Sequence, residues 1–196
     1  MIVRTKRPKM TAGRAVIIKI LSAYRENDYL LSKIEAQKLG YFAHIANDNI
    51  LPRLNYSKNR YGPYSDVLNH ALLIMNGHFI TGFGDNDKSE AQISVPEDAI
   101  QEADAFLENE HQAFETFKRI EELIDGFETP YGMELLSTVH WVAKNDVTSL
   151  TIENVVKGIY EWEPNKPAWG ERKKALMQEA HIRIALDRLK NNGWIQ

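Results

Sequence analysis

The sequence predicts an α+β fold that is predominantly α-helical, with a small antiparallel β-sheet, in a single compact domain. Apolar residues recur at three- and four-residue spacing through most of the chain, which is the helical signature. Alternating segments are few and short, so any sheet is small. At 196 residues, with 43% hydrophobic and 26% charged side chains, the chain can bury a real core. No tandem repeat or low-complexity tract interrupts it.

Val16, Ile17, Ile20, Leu21 and Tyr24 keep helical spacing and predict a first helix from Thr11. The preceding residues, with Arg4, Lys6, Arg7 and Lys9 around Pro8, lack that periodicity. Residues 1–10 therefore read as a basic tail or linker remnant, and 11–196 as the domain. Ser32 to Glu35 offers a capping box for a second helix through about Asn47, with Ile34, Tyr41 and Ile45 on its apolar stripe. Lys38 falls on that stripe and either snorkels or pairs inside the protein.

After Pro52, "RLNYSKNRY" alternates as a short strand does, and Gly62-Pro63 turns the chain between Tyr61 and Tyr64. Ser65 caps a third helix with Val67, Leu68, Ala71, Leu72 and Met75 inward, ended by Asn76-Gly77. "HFITGFG" and "QISV" supply further short strands, so the sheet is expected within 53–60, 78–83 and 92–95. Pro96 opens the next helix, with Glu97 and Asp98 in its first turn. Ala113, Phe117, Ile120 and Ile124 mark another. Thr129-Pro130 begins a helix with Leu135, Leu136, Val139, Val142 and Ala143 inward. One more helix is expected near 151–161, and a longer one near 171–191 ending at Asn192-Gly193.

The chain has no Cys, which excludes disulfides, thiolate metal sites and Cys nucleophiles and suits a reducing cytoplasm. No run approaches the ~18 apolar residues of a membrane span, and "MIVRTKRPKM" is not followed by a signal-type apolar region. A cytoplasmic protein without a membrane partner is expected. The net charge of −3 hides a pattern: residues 1–84 balance at +7, residues 85–128 at −11, and residues 129–196 at +1. The acidic block is either a solvated helical face or a negative field for a basic partner.

Six histidines show no recognised ligand spacing, so no metal is expected. "GHFITGFG" lacks the helix start and the Lys-Ser/Thr of a phosphate loop, and no Gly-x-Ser-x-Gly elbow is present. No cofactor, no catalytic residue and no enzyme are expected. Tyr61, Tyr64 and Tyr131 beside turns suit an interface, because tyrosine brings rigid area with a polar tip; packing on their own turns is equally consistent. The ending "HIRIALDRLKNNGWIQ" has the helix-then-Gly-Trp-Ile form common in winged-helix modules, although the domain is not basic.

"AQKLGYFAH", "NRYGPYSDVLNHALLIMNGHFITGFGD", "GFETPYGMELLSTVHWVA" and "ALDRLKNNGWI", in this order, resemble the C-terminal domain of the DarG antitoxins and, more distantly, SocA-like or Panacea domains. The resemblance spans roughly residues 11–195. Gly40 departs from it, since related sequences often carry a bulkier residue there. The resemblance implies a bacterial antitoxin module that neutralises a DarT-type ADP-ribosyltransferase toxin by direct binding. In that family an upstream macrodomain removes ADP-ribose from DNA, and this chain looks cut from such a protein.

Because a DNA-acting toxin offers a basic groove, the implied mode is nucleic-acid mimicry. Tyr61, Tyr64, Asp85, Asp87, Glu97, Asp98, Glu128 and Tyr131 are the candidate toxin-binding residues, and direct nucleic-acid binding is not expected. Two other readings stay open: a nucleic-acid-binding transcriptional regulator using the winged-helix-like C-terminus, and a small hydrolase using the histidines.

Overall fold

The computed structural model describes residues 6–25, 31–84 and 92–196. The fold class is as expected: α+β, predominantly helical, with a small two-stranded antiparallel sheet. Packing gathers the chain into two compact units, Met1–Asn55 with Ser65–Glu121, and Tyr56–Tyr64 with Glu122–Gln196.

The first unit is built around α1 (Ala12–Arg25). Ala15, Val16, Ile17, Ile18, Ile20, Leu21 and Tyr24 are all buried, so this helix is covered on nearly every side. It packs on α2 (Lys33–Ala46) and α4 (Glu97–Leu107), and Lys19 pairs with Asp104 at 2.8 Å between α1 and α4. The capping box forms as its sequence requires: Ser32 Oγ accepts from Glu35 N, and Glu35 Oε2 accepts from Ser32 N at 2.7 Å. The same carboxylate accepts from the Tyr24 hydroxyl. Lys38 is buried, not snorkelling.

Gln37 satisfies both backbone groups of Ser65, accepting from its N–H and donating to its carbonyl at 3.1 Å each. Ser65 in turn caps α3 (Asp66–Met75) by accepting from Leu68 N at 3.3 Å. Gly40 has a packing reason: a Cβ there would lie 2.3 Å from Leu68 Cδ2 on α3. Leu68, Leu72 and Met75 are buried as expected, but Val67 is 43% exposed. It sits about 100° around the helix from Leu68 and misses the inward stripe. Pro96 is the N-cap of α4, and α5 (His111–Ile124) buries Ala113, Phe117, Ile120 and Ile124 as its spacing predicts.

The strands expected in 78–83 and 92–95 shrink to isolated bridges, Thr81 with Ser94 and Leu31 with Ile93. The chain bends there instead: Gly77 N donates to Ile80 O at 2.7 Å, and both Gly77 and Gly82 have φ near +80°. The sheet lies in the second unit. There β1 (Ser57–Asn59) pairs antiparallel with β2 (Gly62–Tyr64), Lys58 opposite Pro63, across the two-residue turn Arg60-Tyr61.

The second unit centres on α6 (Pro130–Trp141), capped by Thr129, whose hydroxyl accepts from Gly132 N at 2.9 Å. Every residue from Gly132 to His140 is buried. A π-helical turn, Val142–Asp146, extends it. Then come α7 (Ile152–Tyr160), α8 (Pro167–Leu176) and α9 (Glu179–Asn191).

The single long helix expected near 171–191 is thus two helices. Met177, with φ −99° and ψ 89°, leaves the helical region and is fully buried. The break frees two carbonyls, and tyrosines take them: Tyr131 donates to Leu176 O and Tyr160 to Met177 O, at 3.0 Å each. Arg188 Nη1 reaches the carbonyls of Leu123 and Asp125, at 3.0 and 2.6 Å, across the end of α5. Among the described residues no helix is long and apolar enough to cross a membrane.

Candidate functional site

The second unit buries one carboxylate between two cations. Glu134 projects from α6, whose neighbouring positions Met133, Leu135 and Leu136 are apolar and buried. Arg172 on α8 meets it as a fork, Nη1 to Oε1 at 2.6 Å and Nη2 to Oε2 at 3.0 Å. Lys173, fully buried on the same helix, donates to Glu134 Oε1 at 3.0 Å and to Thr138 Oγ1 at 3.3 Å. Its Nζ also stands 4.8 Å from the centre of the Trp162 ring, so all three ammonium hydrogens have a direction to point.

Aromatic rings finish the cluster. Trp162, completely buried, donates its indole N–H to Asn59 O at 2.8 Å, which ties it to β1. Lys58 lies 5.0 Å above the same ring and pairs with Asp146 in the π-helical turn at 2.7 Å. The Arg172 guanidinium lies 4.6 Å from the Tyr61 ring centre, and that of Arg60 lies 5.5 Å from it.

Charge states follow from these contacts. Burial pulls the Glu134 carboxyl upward, but the Arg172 hydrogen bonds and the Lys173 charge outweigh it and hold it below the usual carboxylate range. Burial pushes the Lys173 ammonium down against the opposing charge of Glu134. Tyr131 is raised by its own burial, then by the Glu134 charge. Its hydroxyl proton goes to Leu176 O, so the 2.7 Å contact with His181 Nδ1 requires His181 to donate. His140, buried in α6 with its ring edge-on to Trp194 at 6.4 Å, is pushed down to about 4 by burial.

Chemically, Glu134 is an ionised carboxylate with both oxygens bonded, so it is unsuited to deliver a proton. Two cations around one carboxylate leave an excess of positive charge, and Arg172 carries part of it to the surface. Among the described residues no group of His, Asp or Glu has the arrangement to hold a metal ion. Two polar clefts flank α7. One of about 260 Å³ runs past Asp146, Thr148, Asn154 and Lys157, and one of about 280 Å³ runs past Tyr160, Glu163, Pro167 and Glu171.

The residues singled out from the sequence scatter. Glu97 and Asp98 are exposed in the first turn of α4, in the first unit. Tyr61, Tyr64, Glu128 and Tyr131 belong to the second unit. Tyr61 and Tyr131 border the Glu134 cluster, Tyr64 pairs with Ser57 in the hairpin, and Glu128 is exposed ahead of α6. Asp85 and Asp87 lie outside the described residues. Sequence reasoning missed Glu134, Thr138, Trp162, Arg172 and Lys173. A usable signal was present for Glu134, a lone carboxylate inside an apolar helical run, because such a group must be paired when buried.

Curated relatives match nearly the whole chain. A DNA ADP-ribosyl glycohydrolase of Thermus aquaticus is 35% identical over 190 residues, covering 95% of this chain and 49% of the relative. DNA ADP-ribosyl glycohydrolases of Mycobacterium bovis and Mycobacterium tuberculosis are each 33% identical over 204 residues, covering 92% of this chain and 53% of the relative. The chain spans about half the length of the curated relatives it matches. No protein-family model matches it.

These names correct the functional expectations. The DarG antitoxin assignment, toxin neutralisation by nucleic-acid mimicry, the DarT-type partner with its macrodomain architecture, and the absence of an enzyme are not carried forward. The relatives bear the name of a hydrolase, and that name includes no toxin. The physical reason is that the quoted motifs mark caps, turns and helix contacts. Those identify a scaffold, and a scaffold does not fix an activity. The regulator reading gains nothing from the relatives, and the Trp194-Ile195 ending is buried.

Proposed function

We propose that this chain works within a protein that hydrolyses ADP-ribose from DNA. The observation that carries the proposal is the match at 33–35% identity over 92–95% of the chain to proteins named for that reaction. The reaction adds water across the glycosidic bond and yields free ADP-ribose and unmodified DNA. Both parts of such a substrate carry phosphates.

The Glu134–Arg172–Lys173 cluster suits the positioning of an anion, since it carries two cations for one carboxylate and Arg172 is partly exposed. We assign it to holding substrate, with Tyr61 beside it; proton transfer does not suit a carboxylate with both oxygens already bonded. Residues 11–196 are proposed as the functional module and 1–10 as a tail. A DNA substrate goes with a cytoplasmic location.

The test uses an oligonucleotide carrying ADP-ribose. It is incubated with this chain, and with the Thermus aquaticus relative in which the matching half is replaced by this chain. Release of free ADP-ribose by either supports the proposal. No release by both, while the unaltered relative is active, overturns it.

A further inference from the structure

Helix α8 sorts its side chains by charge. Pro167, Gly170 and Glu171 turn toward a cleft that also holds Glu163 and Tyr160. Trp169, Arg172 and Lys173 project from the opposite side, because positions 169, 172 and 173 fall within one third of the helical circle. On that side the aromatic and cationic groups are interleaved. Lys166 stands 4.1 Å over the Trp169 ring, Arg172 stands 4.6 Å and Arg60 5.5 Å from the Tyr61 ring. Arg60 and Lys166 are exposed, and Tyr61, Trp169 and Arg172 are half-buried. The nearby carboxylate on this side, Glu134, is buried and already paired.

We infer that Arg60, Tyr61, Lys166, Trp169 and Arg172 form a docking surface for a single-stranded nucleic acid. Charge complementarity names the occupant. The exposed cations have no surface carboxylate among their printed partners, and a strand offers phosphates to them. The planar rings and guanidinium groups offer stacking faces to unpaired bases, which a duplex keeps hidden. The rings are held at fixed positions by the Glu134 cluster and the β1–β2 turn, so little ordering is needed on binding. This inference deepens the proposed reaction by naming the form of DNA that the protein holds, and it rests on that reading for the choice of DNA.

The experiment measures fluorescence anisotropy of a labelled oligo-dT strand with the full chain, at low and high salt, against a duplex of equal length. The wild type is expected to prefer the single strand. Tyr61→Leu is expected to weaken binding roughly fivefold or more, from lost stacking. Arg60→Ala, which leaves no core contact broken, is expected to weaken binding and reduce the salt slope by about one. Glu163→Gln, on the cleft side, leaves binding unchanged. Equal affinity for duplex, or unchanged affinity in both Arg60→Ala and Tyr61→Leu, overturns the inference. ADP-ribose release without strand binding overturns this surface alone; strand binding without release supports the surface and counts only against the proposed reaction.

Discussion

Arg172 grips Glu134 through two parallel hydrogen bonds of 2.6 and 3.0 Å, one from each terminal nitrogen to its own carboxylate oxygen. The pairing joins α8 to α6, and it leaves Lys173 with a third share of the same carboxylate at 3.0 Å. A buried cation tolerates that position because the carboxylate is there.

Removing Glu134 should therefore cost more than removing either cation. Glu134→Ala leaves Lys173, fully buried, with only Thr138 and a ring face. The expected loss is about 3–5 kcal/mol, measured by urea denaturation. Lys173→Met removes the buried charge and keeps the Arg172 fork, so its cost should be clearly smaller. If the two variants unfold at the same urea concentration, the carboxylate is not what holds this corner.

The corner between α8 and α9 depends on two hydroxyls from other parts of the unit. Tyr131→Phe strips the donor from Leu176 O, and Tyr160→Phe strips it from Met177 O. Each should lower stability by about 1 kcal/mol in denaturant titrations. Tyr160→Phe is the more informative, because it removes one bond only. A variant as stable as wild type means water replaces the hydroxyl without loss.

Most helices were legible because caps and apolar spacing are local properties. Ser32, Ser65 and Thr129 each cap the helix their position announced. The break at Met177 was not legible, since no Gly or Pro marks it and its carbonyls are satisfied by tyrosines 17 and 45 residues away. The strand near 78–83 was misread for a related reason: alternation was present, but the positive φ at Gly77 and Gly82 bends the segment out of a ladder. The candidate site was hardly legible. Its members come from β1, β2's turn, α6 and α8, and only folding brings Arg172 to Glu134, 38 residues away.

Gly62 closes the hairpin at φ +95°, a region that side chains with a Cβ rarely enter. It pairs with Asn59, whose carbonyl accepts the Trp162 indole. Gly62→Val should cost on the order of 1–2 kcal/mol or more from backbone strain. The thermal midpoint of the variant reads this directly. An unchanged midpoint would mean the turn relaxes without penalty.

His140 gives the second unit an acid limit. In the folded chain its imidazole is pushed down to about 4, chiefly by burial, with the positive charge of Lys144 adding to the effect. An unfolded chain returns it to about 6.5. Between these values the unfolded state binds more protons, so stability rises with pH across the window. The contribution is complete above about 6.5 and is lost progressively as pH falls toward 4. Between pH 7 and pH 5 the expected loss from this residue is about 2 kcal/mol. Glu134 acts in the same direction further down, because its folded carboxyl is also held low. Urea titrations at pH 7, 6 and 5 measure the trend, and a His140→Gln variant, which cannot take up the proton, should flatten it. Proton NMR gives the decisive reading: the His140 ring should stay neutral at pH 5.5, and titration of that ring near 6.5 in the folded protein would remove the basis for the acid limit.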